Sequence, residues 1–295
     1  MNHVRSSQYR RTAWAPEWNE WSAQYGARHC RPTKGYACRT GRGGDVVEDP
    51  LNRQSNSGAE FDVFRDTYEA EVARAISFAG QELDVYVATK ARDLVRRVKK
   101  ARGDPAKLDA LDIGCGVGLT DSYLVQTFRR LHGVDVSAPL VERAIRTNPG
   151  VEYAVYSGDR LPYPDASFDV VFAICVLHHV ELGDQMSLVN EFARVTRPGG
   201  VALVYEHNPF NPITRLVVSR CRFDEGVVLL YPSGTRRLLT EAGFVAAQTR
   251  HIIFSPVRPR LIESAERALG VVPLGAQYVA IARKPVPKPR PGIVA

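Results

Sequence analysis

Three glycines at two-residue spacing, Gly114, Gly116 and Gly118 in the run LDIGCGVGLT from Leu111 to Thr120, lie between an apolar strand-like stretch and a helix start. A strand that turns at once into a helix through such a loop restricts the chain to α/β architectures that meet a ligand at the sheet edge. Without Cβ atoms the backbone turns tightly and comes within contact distance of that ligand. Asp135 closes a second apolar stretch, LHGVDVS, where a carboxylate can accept hydrogen bonds from both hydroxyls of a ribose. Gly118 is followed by Leu119, Thr120 and Asp121, so the third glycine of a dinucleotide fingerprint is missing. The Lys-Ser/Thr pair of a triphosphate-binding loop is missing too.

Hydrophobic periodicity extends the α/β reading along the chain. Phe61, Phe64, Tyr68, Val72, Ile76 and Ala79 mark one helical face, with Gly80 as its terminator. Leu83, Val87, Ala91, Leu94 and Val98 mark a second, which runs out into the basic stretch RRVKKAR. The pattern then predicts strand 108–113, helix 119–130, strand 131–136, helix 138–147, and strands 151–156 and 168–174. Helix 184–196, with Asp184 as N-cap, leads through the turn Arg197–Gly200 into strand 201–206. A helix over 234–242 and strands over 244–253 and 276–283 complete an alternation that signals a mostly parallel sheet.

The ends read differently. Residues 1–57 hold only four Val, Leu or Ile and are expected to be largely disordered. Trp14, Trp18, Trp21 and Tyr25 form one aromatic stripe there, suited to a helix docked on the domain surface. Residues 285–295 are proline-rich and expected to be disordered as well. These ends locate the charge: of the net +7, residues 1–57 carry +4 and 283–295 carry +4, leaving 58–282 at −1. A near-neutral core lacks the footprint of a nucleic-acid binder. No apolar run reaches the ~20 residues of a membrane span, and the start has no apolar core of a secretory signal, so a cytoplasmic location is expected. Five scattered cysteines, with no C-x-x-C pair, point to reduced thiols rather than disulfides or structural zinc.

Four segments together resemble class I S-adenosylmethionine-dependent methyltransferases, and among them the small-molecule type 11 domains. They are LDIGCGVGLT, GVDVS, GDRLPYPDASFDVVFAICVLHHV (Gly158 to Val180) and RVTRPGGVALVYEH (Arg194 to His207). The resemblance implies a doubly wound, mostly parallel, seven-stranded Rossmann-like sheet over residues 58–284. Within it, helices 58–107 precede a cofactor-binding core 108–207, and segments 208–232 and 255–275 serve as substrate-side insertions, the first a helical lid. It implies S-adenosyl-L-methionine as cofactor. Asp112, Gly114, Cys115, Gly116 and Gly118 would meet its methionine and ribose portions, and Asp135 with Val136 the ribose. Asp159, with Arg160 and Leu161, would meet the adenine, and Ile174 and Cys175 would lie beside the methionine. Tyr68 and Phe78 are candidates to approach the substrate.

Transfer from a sulfonium starts from an activated electrophile, so a base is needed only for a poorly acidic acceptor. His207, at the end of the fifth strand, is the first candidate base, with Asn208 and Asn211 beside it around an acceptor hydroxyl. Of His178 and His179, one is expected to face the site and the other to pack. A metal site from His178, His179, Glu206 and His207 matches no known ligand spacing, so none is expected. The leading functional reading is O-methylation of a small hydroxylated or glycosylated molecule in secondary metabolism. N- or C-methylation and a noncatalytic cofactor-binding partner module are the alternatives. Expected partners are a small acceptor, with neither nucleic acid nor membrane; a homodimer is left open.

Overall fold

The computed structural model describes residues 61–62, 66–77, 83–254 and 270–287. All of them belong to one unit, Glu48–Ala295. The tryptophan stripe, Phe64, Phe78, Gly80, most of segment 255–275 and the end of the proline-rich tail lie outside the described residues.

Seven strands form one sheet: β1 (Asp109–Ile113), β2 (Arg130–Asp135), β3 (Glu152–Val155), β4 (Phe168–Ile174), β5 (Thr196–His207), β6 (Val245–Ile252) and β7 (Gln277–Arg283). Their order is β3-β2-β1-β4-β5-β7-β6. The first five run parallel, and β7 inserts antiparallel between β5 and β6. The order reverses between β1 and β4, so a crevice opens at their carboxyl ends. Central strands covered on both faces need near-continuous apolar residues, as in VVFAI of β4, where Asp169 at the strand's amino end is the polar exception. Val170 and Phe172 join the layer under the N-terminal helices with Leu94, Val98 and Tyr205. Val171 and Ala173 face the other way, against Leu188, Val189 and Phe192.

The helices are α1 (Tyr68–Ser77), α2 (Leu83–Arg102), α3 (Asp121–Leu124), α4 (Ala138–Thr147), α5 (Gln185–Val195), α6 (Pro212–Val218) and α7 (Pro232–Glu241). The 20-residue α2 is fixed to the sheet by more than its apolar stripe. Tyr205 of β5 donates its hydroxyl to Asp93 at 3.0 Å, and Arg97 Nε donates to the same carboxylate at 2.5 Å.

Two elements differ from the periodicity. The helix expected over 119–130 is one turn, because Arg129 and Arg130 are drawn to Asp109 at the amino end of β1 and the chain must already be turning into β2. The Arg197–Gly200 turn is absorbed into β5, with Gly199 at φ +78° and a register shift opposite Phe168 and Val170. Asp184 occupies the N-cap of α5 but makes no side-chain capping bond.

Candidate active site

At the carboxyl ends of β1, β2, β4 and β5 lies a cavity of about 450 Å³. Its roof is Tyr68, Val72 and Ile76 of α1 and Leu83, Tyr86, Val87 and Lys90 of α2. The glycine loop forms one wall through Gly114, Cys115 and Gly116, and three acidic residues, Asp112, Asp135 and Asp159, line it with Val136. Ile174 and Cys175 close the floor; His179, His207, Asp224 and Gln277 face them from the far side.

The loop's geometry explains its residues. Gly114 and Gly116 sit at φ +75° and +54°, a left-handed conformation that favours glycine. A Cβ on Gly114 would strike Val176 at 2.5 Å, whereas one on Gly116 would meet only the Tyr68 ring at 3.6 Å, across the cavity. Asp135 is the loop's tether: one carboxylate oxygen accepts Gly116 N–H at 2.8 Å and the other Ser137 N–H at 3.0 Å. Burial raises the Asp135 pKa, opposed by those backbone donors.

Asp112 is buried, and its carboxyl shares a hydrogen bond with the Asp121 carboxyl behind it. Burial, reinforced by the charges of Asp121 and Asp135, pushes its pKa well above the usual carboxylate range. Asp121, behind it, is raised to about 6 by burial although the Tyr153 hydroxyl donates to it at 2.8 Å. Three acidic side chains along one cavity wall, Asp112, Asp135 and Asp159, fit a ligand carrying an ammonium group, a diol and an exocyclic amine. S-adenosylmethionine has all three.

On the far side, Cys175 adopts φ +59°, rare for a residue with a side chain, just where β4 ends at the cavity. Gln277 Nε2 donates to its sulfur at 3.0 Å. His207 at the end of β5 is held at a pKa of about 4, chiefly by burial and then by the neighbouring His178 charge, and is therefore neutral at pH 7. Lys90 is buried, and burial lowers its pKa; its Nζ stands 4.6 Å above the Tyr86 ring.

Several expected contacts are not made. Gly118 does not line the cavity: a Cβ there would strike Asn148 and Tyr153 at 2.5 Å, so its bareness serves packing behind the loop. Arg160 is exposed, off the cavity, 3.8 Å from Asp165. Leu161 is buried off the cavity, and its N–H donates to Glu191 at 2.8 Å. Asn208 is committed to Pro273 and Gly275 carbonyls, and Asn211 caps α6. His178 is buried behind the cavity, where its Nδ1 pairs with Glu206 Oε2 at 2.5 Å; of the two adjacent histidines, His179 faces the cavity.

Two wall residues escaped the sequence reading. Lys90 sits on the same stripe as Leu83, Val87 and Leu94, and a lysine on an apolar face is a legible signal. Asp224 lies in a short turn after α6, and no periodicity marks it.

Residues 111–204 match the methyltransferase domain family. Phosphoethanolamine N-methyltransferase 1 of Arabidopsis thaliana is 30% identical over 168 residues, covering 53% of this chain and 33% of that protein. An uncharacterised methyltransferase of Synechocystis is 33% identical over 102 residues, covering 34% and 48%. The chain thus spans less than half the length of these curated relatives. A crystal structure of an S-adenosylmethionine-dependent methyltransferase from Thermotoga maritima superposes with TM-score 0.55 at 19% identity, covering 77% of this chain and 99% of that one. Glycine loop and strand order agree with these matches: residues 111–204 carry a methyltransferase domain, set in a sheet of the class I S-adenosylmethionine-dependent methyltransferase fold.

Proposed function

We propose that this protein transfers a methyl group from S-adenosylmethionine to a small acceptor held in the cavity beneath α1 and α2. The observation that carries this reading is that one roofed cavity contains both the acidic wall suited to the donor and, facing it, a neutral imidazole. Asp135 would hold the ribose, Asp159 the adenine, and Asp112 with Gly114 and Gly116 the methionine end. When bound, the cofactor supplies a methyl carbon already activated on sulfonium. The chain aligns the acceptor with that carbon, excludes water, and takes up a proton; fixed alignment alone can supply ~7–11 kcal/mol in favourable intramolecular cases.

His207, neutral and directed at the cavity, is the assigned proton acceptor, and a hydroxyl is the acceptor that needs one. O-methylation of a small hydroxylated molecule is therefore our first assignment. Transfer to an amine is the second, favoured by the N-methyltransferase among the relatives. The test is calorimetric titration with S-adenosylmethionine, S-adenosylhomocysteine and NAD, followed by a screen of hydroxylated and amine acceptors with mass-spectrometric detection of the methylated product. Binding of the two adenosyl ligands and a +14 Da product on oxygen are expected. A product on nitrogen selects the second assignment, and binding of NAD alone overturns both.

A further inference from the structure

The paired histidines and the turn after α6 make an arrangement that donor binding does not require. His178, His179 and Asp224 each bring one ligand atom within 4.8 Å of the other two. Asp224 Oδ1 is 3.5 Å from His178 Nε2 and 3.3 Å from His179 Nε2. The His178 side chain has no solvent exposure, and its Nε2 makes no hydrogen bond of good geometry, only the long 3.5 Å approach to Asp224. Buried polar atoms left in this way call for an explanation.

A shared cation supplies one. Zinc binds imidazole nitrogen and carboxylate oxygen at ~2.0–2.2 Å, so neighbouring ligand atoms of a tetrahedral site stand about 3.4 Å apart. The two measured distances to Asp224 have that length. The other side of His178 is equipped for the same role: Glu206 stands 2.5 Å from Nδ1 and would keep the hydrogen there, while the ion would displace from Nε2 the proton that Glu206 and Asp224 favour on the ring in its absence. Glu206 is itself fixed by the Leu177 N–H at 2.8 Å. His179 and Asp224 line the cavity, which leaves an open coordination position on that side.

We propose that His178, His179 and Asp224 bind one divalent cation of the zinc class, with Glu206 as the positioning residue behind His178 and a free position facing the acceptor. A role in orienting an acceptor oxygen rests on the proposed methyl transfer; binding of the ion does not. The test uses the full chain without an affinity tag, stripped with chelator and titrated with zinc alone. One equivalent per chain is expected, with cobalt substitution giving the visible absorption of a tetrahedral site. Asp224→Ala and His179→Gln are each expected to weaken zinc binding at least 100-fold while circular dichroism is unchanged. Wild type binding well below one equivalent, or both variants binding like wild type, overturns the site. S-adenosylmethionine titrated into the stripped protein tests the donor reading separately, so either can fail alone.

Discussion

Asp109 and Asp112 stand three residues apart on β1, both buried, and the two ends of the sheet treat them oppositely. At the amino end, Arg129 and Arg130 each reach both oxygens of Asp109, and Arg197 bridges it to Asp169, which also takes Arg102 at 3.0 Å. Burial works against the Asp109 charge, but these guanidinium bonds hold its pKa well below the usual range. At the carboxyl end Asp112 lines the cavity, and burial with the charges of Asp121 and Asp135 pushes its pKa up, opposed only in part by Lys90. A carboxylate saturated by arginines is part of the scaffold; one held against like charge at a crevice is a candidate ligand contact.

The contrast makes the two ends separable by experiment. The largest effect is expected at the cavity, where His207→Ala should lower turnover by about 100-fold or more, the scale of a lost general base, with donor affinity and unfolding midpoint unchanged. Activity equal to wild type would remove His207 from the chemistry. At the opposite end Asp109→Ala, which takes this partner from the half-exposed Arg129 and Arg130 while Arg197 keeps Asp169, should cost about 1–2 kcal/mol in urea unfolding while the folded protein binds donor normally. A loss of donor affinity instead would erase the distinction between the ends.

Asp135→Ala should weaken S-adenosylmethionine binding by about 1–3 kcal/mol in calorimetry, the worth of charge-assisted hydrogen bonds. An unchanged affinity would refute the ribose assignment. The smallest effect concerns pH. The Asp121 pKa rises from its ordinary 3.8 to about 6 in the folded protein, so the folded state holds a proton the unfolded chain has lost between those values. Stability from this group is present below about pH 4 and declines as pH rises through 6. Asp121→Asn should flatten that decline and stabilise the protein by about 1 kcal/mol at pH 7.5, as thermal melts at pH 4.5 and 7.5 would show.

The sequence by itself determined the strand set and the glycine loop followed by Asp135, because these follow from local rules: periodicity, backbone freedom at glycine, and an acidic residue at a strand end; the antiparallel placing of β7 came from the structure. It also bounded the histidine question to one in and one out. Only the tertiary structure decided which was which. Leu177–His179 forms a single tight turn, and the pairing of Glu206 with His178 buries that ring and leaves His179 at the cavity. Gly118, Leu161 and Asn208 carried the right residue types for contact, yet packing and backbone partners from distant segments claimed them. Asp224 reaches the histidines from 45 residues further along the chain, through a turn with no periodic signature. Long-range side-chain pairing of this kind depends on how separate elements pack, and no local pattern in the chain encodes it.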